Sequence, residues 1–373
     1  MKLLIILVLL ATLVSSCGRQ ENDVFYESTL ELSDIRLEAA DSLVFFYPDS
    51  ARIGRIGAVM PWKNYILVED LRFMRLWVFD QQMNLVRIVG REGRGPGEYN
   101  SSCSPIVSDK YLYLLDKNMR RVDKYDSAFQ RILDINTPPE FALKGSGLVA
   151  NNRVVLSATY LGGQKMVPIN KKYVQNNKSA FLFDSTWKYT GVSIFPWDEL
   201  YEDESHSSFN ATTSEVCFSQ GRSGSFYAQQ VGSYKIAHYD STFNLIKLFG
   251  YKSQYRKEPP TNEFISKANT SKSRGSLLFA HSSLYTNIVF DEMHNIVGTY
   301  LSNATEESFY KRDNLADKHY LQLYDATSYN CIYDGEIAGI LLYVQHGKLV
   351  LLTEQSPQRF VMKRYTISRK QHS

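Results

Sequence analysis

Hydrophobic and polar positions along this chain follow a strand period, and the same arrangement returns several times. An apolar stretch ends in an aromatic residue, a polar residue follows, and a tight turn comes next. The clear copies are Trp77-Val78-Phe79-Asp80, Val122-Asp123-Lys124-Tyr125-Asp126, Phe181-Leu182-Phe183-Asp184 and Ile236-Ala237-His238-Tyr239-Asp240. Fainter ones end at Asp325 and Tyr365. A unit returning every 40–60 residues or so marks a repeat fold. Short β-rich runs such as Tyr65–Val68, Tyr111–Leu115 and Lys348–Leu352 come before these segments. A third apolar segment often follows, as in Leu85–Val89 and Leu245–Phe249. The order predicts successive antiparallel strands, with no long helix after the first residues.

A lone sheet of this kind leaves a face and two edges uncovered, so the copies must pack on one another. Radial repetition does this and predicts an all-β fold, a β-propeller of four-stranded antiparallel blades. Strand pairs can be drawn for six blades, at 65–80, 111–126, 153–184, 224–240, 295–325 and 348–365. The last copy lacks an outer strand, so ring closure is expected to recruit one from 25–60. A seventh blade would have to hide in 251–290. Residues 185–222, 251–275 and 303–318 are insertions, read as surface loops where function collects.

The N-terminus reads as a targeting segment. Lys2 precedes an apolar run, Leu3–Val14, that is too short to span a bilayer comfortably. Val14-Ser15-Ser16-Cys17 resembles a bacterial lipobox. That resemblance implies a signal peptide over 1–17, diacylation of Cys17 and membrane attachment through the acyl chains; Gly18 after it implies passage to the outer membrane. An ordinary signal peptide is the plainer alternative. Residues 18–28 are expected to be a tether and 29–368 the propeller.

Composition refines this only a little. Hydrophobic residues make up 44% and charged residues 22%, ordinary for a globular protein. The 25 Tyr and 20 Phe suit half-buried strand surfaces. A net charge of +3 is too small to argue for nucleic acid. Cys103, Cys217 and Cys331 lie far apart and are expected as buried free thiols. Without close Cys or His pairs, no metal site and no cofactor are expected.

The most specific internal motif is Gly90-Arg91-Glu92-Gly93-Arg94-Gly95-Pro96-Gly97-Glu98-Tyr99. It ends as neither a P-loop nor a dinucleotide fingerprint, so a structural link between blades is the plain reading. Residues 85–126, from this loop through Tyr111–Asp116 to Arg121–Asp126, resemble an NHL repeat. The whole chain resembles the six-bladed propeller lipoproteins of bacterial cell envelopes, many without an assigned function. The resemblance implies that the glycine loop and the connection after each second strand share a face. Arg72, Arg75, Arg91, Arg94, Lys117 and Arg120 would then ring one end of the central channel. Such a funnel would attract uronic-acid sugars or phosphorylated glycans; a solvated arginine fringe is the bland alternative.

No catalytic signature appears: His-Glu-x-x-His, Gly-x-Ser-x-Gly and CxxC are all absent, and the seven His are scattered. Asp198, Glu199, Glu202, Asp203 and Glu204 contain acids enough for a glycosidase pair, but read as a flexible acidic loop. The turns at Asp126-Ser127-Ala128, Asp184-Ser185-Thr186 and Asp240-Ser241-Thr242 are explained by turn chemistry, although they also resemble a bacterial O-glycosylation sequon. The expected function is therefore a non-enzymatic binding or scaffolding module for a glycan or an envelope protein partner. A channel-site lyase or hydrolase, and a purely structural subunit of an outer-membrane assembly, are the alternatives.

Overall fold

The computed structural model describes residues 24–31, 35–48, 51–101, 103–267, 278–311 and 313–369. The signal segment, Cys17 and residues 18–23 of the expected tether lie outside them. Six four-stranded antiparallel sheets account for nearly all the strands. Blade 1 runs Ile56–Trp62, Tyr65–Asp70, Arg75–Asp80 and Leu85–Val89; blade 2 runs Ser104–Val107, Leu112–Asp116, Arg121–Tyr125 and Arg131–Asn136. Blade 3 is Phe141–Ala150, Arg153–Tyr160, Ala180–Phe183 and Tyr189–Ile194. Blade 4 is Val216–Gln220, Phe226–Gln230, Ile236–Tyr239 and Leu245–Gly250. Blade 5 is Leu284–Asp291, Ile296–Asn303, Lys318–Asp325 and Cys331–Ile337. Blade 6 has Ile340–Gln345, Lys348–Gln355 and Arg359–Arg369, completed by Ile35–Phe46. First strands neighbour one another from blade 1 round to blade 6 and back to blade 1, which closes the ring.

All six expected strand pairs are the second and third strands of a blade. These strands are covered by a neighbouring blade on each side, so Tyr65–Asp70 and Leu112–Asp116 are almost wholly buried. Closure also runs as expected. Ile35–Phe46 pairs antiparallel with Arg359–Arg369, from Ile35 opposite Arg369 to Phe46 opposite Arg359. Phe45 packs there against Phe79 and Phe360, at ring distances of 4.6 and 5.5 Å.

One expectation is corrected and one alternative falls away. The tether expected over 18–28 is already sheet at Phe25–Glu27, a fifth strand lying parallel along Leu248–Gly250 at the rim of blade 4. Its backbone finds a free sheet edge there, and Leu30 bridges to Cys331 of blade 5. No seventh blade occupies 251–290: the described part of 251–283 contains no strand, and Leu284–Asp291 belongs to blade 5.

Strand alternation gives the ring two unlike faces. One, the turn face, carries the hairpins after each first and third strand. Asp80, Asp126, Asp184, Asp240 and Asp325 each accept two backbone N–H bonds there, of 2.8–3.1 Å, from residues two to four positions on. Just after each aspartate a large residue sits at positive φ: Met83, Phe129, Trp187, Phe243 and Tyr329, at 59–71°. The left-handed bend aims these side chains into the seam with the preceding blade. Phe129 meets Trp62 and Tyr65, Trp187 meets Tyr113, and Tyr329 meets Phe249. Burial of these rings offsets the backbone strain.

Candidate functional site

The other face, the loop face, carries the connections after each second strand and between blades, and all the long insertions. Its frame begins with two buried aspartates. Asp70 ends the second strand of blade 1 and accepts N–H bonds from Gly54 and Arg72, each 3.1 Å. Asp116, at the same place in blade 2, accepts from Asn118, Met119 and Ser101. Both carboxylates tie a strand turn to an interblade loop, which is structural work.

The six cations expected as a ring lie at connections of this face, and several are engaged by neighbours. Arg75 is held by Asp70 at 3.3 Å and stacks on Phe73 and Trp77. Arg91 pairs with Glu98 at 2.7 Å. Arg94 lends its backbone N–H to Glu98, whose carboxylate also takes the Gly95 N–H and closes the glycine loop. Those bonds hold the Glu98 carboxyl below its ordinary range. Arg120, at positive φ, donates to the Pro139 carbonyl at 2.6 Å. Lys117 is exposed at the axial end of blade 2, with its charge acting on Glu69, Glu215 and Lys144. Of the six, Arg72 and Arg75 line cavities.

That cavity, about 320 Å³, lies between blades 6 and 1. Arg52, Arg55 and Arg72 border it, opposite Asp313, Gln355 and Ser356. No described acid makes an ion pair with any of the three guanidinium groups, and Asp313 is engaged in capping the Leu315 N–H at 3.1 Å. Gly54 makes the arrangement fit: a Cβ there would stand 2.6 Å from the Arg72 stem. Arg52 and Pro357 are shared with a second cavity of about 670 Å³, lined by Phe46, Tyr47, Phe73 and Arg75. Basic and aromatic surface therefore adjoin in one groove. Arg52 and Arg55 precede the first blade in an unpatterned stretch that carries no local sequence signal of a site.

The channel mouth is a different environment. Glu69 is buried, accepting the Ala58 N–H at 3.1 Å and facing Ser104 at 3.3 Å. Burial pushes its carboxyl above the ordinary range and does the same to Glu215, while it lowers the Lys144 ammonium. Here Ser146 donates to the Val216 carbonyl and Gln229 meets Thr299 across neighbouring blades. These polar groups bind blades together. Among the described residues, no group of three His, Cys, Asp or Glu is placed to hold a metal.

The insertions are ordered where described. The acidic stretch expected to be flexible forms 3-10 turns at Glu199–Glu202 and Glu204–His206, anchored by buried Trp197 and Tyr201. Asp198 caps Leu200 and takes the Ser233 hydroxyl at 2.6 Å, and Asp203 caps Ser205. These two acids serve as caps rather than as a catalytic pair. His238 stacks on Tyr227 and meets the Tyr329 hydroxyl at 3.0 Å, a blade contact. Cys103, Cys217 and Cys331 are free thiols, two of them buried.

Comparison with known proteins gives the same architecture. The family DUF5128, described as a 6-bladed beta-propeller, matches residues 14–144. A DUF4221-family protein from Bacteroides vulgatus superposes with a TM-score of 0.67 at 14% identity, covering 91% of this chain and all of its own. A candidate exported protein from Bacteroides fragilis gives 0.61 at 13% identity, covering 92% of this chain and 99% of its own. The likeness is one of fold. No curated protein matches the chain. No described helix is long and apolar enough to cross a membrane.

Proposed function

We propose that the chain is a non-enzymatic binding propeller of the bacterial cell envelope, anchored through Cys17, that takes an anionic glycan in the groove between blades 6 and 1. One observation carries this reading: Arg52, Arg55 and Arg72 line a single cavity with no ion-pair partner among the described residues, beside a cavity lined by Phe46, Tyr47 and Phe73. Guanidinium groups recognise carboxylates and phosphates by paired hydrogen bonds, and aromatic faces stack on sugar rings. Polyuronates or phosphorylated glycans supply both. The anchor is motivated by the lipobox and is in keeping with a fold relative named as a candidate exported protein.

Calorimetric titration with an oligogalacturonate tests the site. Binding by the native chain, weakened at least tenfold in Arg55→Ala/Arg72→Ala with an unchanged fold, is the expected result. Equal binding by native and variant chains would remove the groove from the account. For the anchor, metabolic labelling with a fatty acid should mark the native chain and leave Cys17→Ser unlabelled.

A further inference from the structure

We infer that the ligand of this groove also carries an apolar substituent, received by a separate cavity at the border of blades 5 and 6. The inference rests on the reading of the arginine cavity as an anion site and adds a second half to it. The apolar cavity measures about 330 Å³ and is walled by Phe279, Leu284, Tyr300, Phe309 and Ile340. Asn314 and Ile340 belong to its wall and to that of the arginine cavity. The two spaces are therefore neighbours across one partition, formed by Asn314 of the insertion between the second and third strands of blade 5 and by Ile340 at the start of blade 6.

Its buried polar groups are already satisfied by one another. Ser302 donates to Asp317 at 3.0 Å, and Ser308 donates to the other oxygen of the same carboxylate. The Tyr300 hydroxyl meets His319 Nδ1 at 2.7 Å, and His319 Nε2 faces the Leu315 carbonyl at 3.3 Å. With Nε2 as donor, Nδ1 accepts, so the Tyr300 hydroxyl donates its hydrogen bond to Nδ1. Burial raises the Tyr300 phenol and lowers the His319 imidazolium, which keeps both neutral. A wall whose polar groups are paired with one another, the Asp317 carboxylate included, makes no call for charge in an occupant. What it leaves open is carbon surface, including the stacked rings of Phe279 and Phe309, 5.7 Å apart. An alkyl or aromatic group gains by leaving water there.

The basic cavity and the apolar one together fit an amphiphilic anion: a uronate or phosphate head at Arg52, Arg55 and Arg72, and a hydrocarbon substituent between blades 5 and 6. Three probes separate the halves in calorimetric titrations kept below micelle-forming concentration. Octyl glucuronide carries head and tail, glucuronate the head alone, and octyl glucoside the tail on a neutral sugar. Octyl glucuronide is expected to bind at least roughly tenfold tighter than either, which burial of about two methylenes is enough to supply. Ala304→Trp, which fills the apolar cavity, should erase the advantage over glucuronate and leave glucuronate binding unchanged. Phe309→Ala, on the solvent-facing insertion, should reduce it in the same sense if the tryptophan variant does not fold.

Equal affinity for octyl glucuronide and glucuronate, both weakened by Arg55→Ala/Arg72→Ala, would overturn the substituent and leave the anion site standing. Equal affinity for octyl glucuronide and octyl glucoside would overturn the amphiphilic anion, because the head would go unread. No binding of either uronate above that of the arginine variant would remove this inference and the anion site together.

Discussion

The turn face and the loop face are built by the same six sheets, yet they are shaped by different demands. On the turn face, five aspartates make nearly the same bonds and five large residues enter the seams at nearly the same φ. On the loop face, the links between blades range from the two residues between Ile337 and Ile340 to the long stretch between Gly250 and Leu284. Uniformity belongs to the side that holds the ring together. Variety belongs to the side that carries the arginine cavity, where no described acid pairs with Arg52, Arg55 or Arg72. Substitutions on the turn face should therefore change stability without changing affinity, and substitutions in the groove should do the reverse.

The largest effect is expected where the ring closes. Phe45→Asp would bury an unpaired carboxylate among Trp77, Phe79 and Phe360, and should abolish cooperative unfolding as followed by circular dichroism. Next comes Trp187→Ala on the turn face, whose ring is 1% exposed. Its loss should cost about 3–5 kcal/mol in denaturant unfolding and leave oligogalacturonate affinity untouched.

Smaller effects come from titration. Burial holds the His238 imidazole at about 4, below its ordinary 6.5. The unfolded chain takes up that proton first as pH falls, so stability should drop between about pH 6.5 and 4 and then level off. His238→Gln should flatten that slope, read as the urea midpoint at pH 7 against pH 4.5. Glu69 has the opposite sign. Its raised carboxyl favours folding below about pH 4.5, and that contribution is lost as pH rises. Glu69→Gln should raise the midpoint at pH 7 and make no difference at pH 4. Smallest in stability is Arg55→Ala/Arg72→Ala, expected to stay within about 0.5 kcal/mol of the native chain while affinity falls.

Much of the scaffold was legible in the chain. Second and third strands are covered on both sides, so they carry the continuous apolar runs that gave all six pairs. A sixth blade short of one strand pointed back to the N-terminal region, where Ile35–Phe46 supplies it. Phe25–Glu27 was missed because three residues on a rim carry no pattern. The groove was illegible for a different reason. Arg55 meets Gln355 and Asn314 only once the ring has closed, and no local spacing records that meeting. Three of the six cations expected as a ring are engaged by nearby acceptors: Asp70 takes Arg75, Glu98 takes Arg91, and the Pro139 carbonyl takes Arg120. Glu98, three residues after Gly95, was a readable sign that the glycine loop closes on itself.

Hydrogen exchange of the native chain, measured with and without saturating oligogalacturonate, tests the division between faces most directly. Added protection confined to residues 51–56, 71–75, 306–317 and 355–358, with the aspartate turns unchanged, is the predicted result. Protection centred on the aspartate turns, or none on the loop face at saturation, would contradict it.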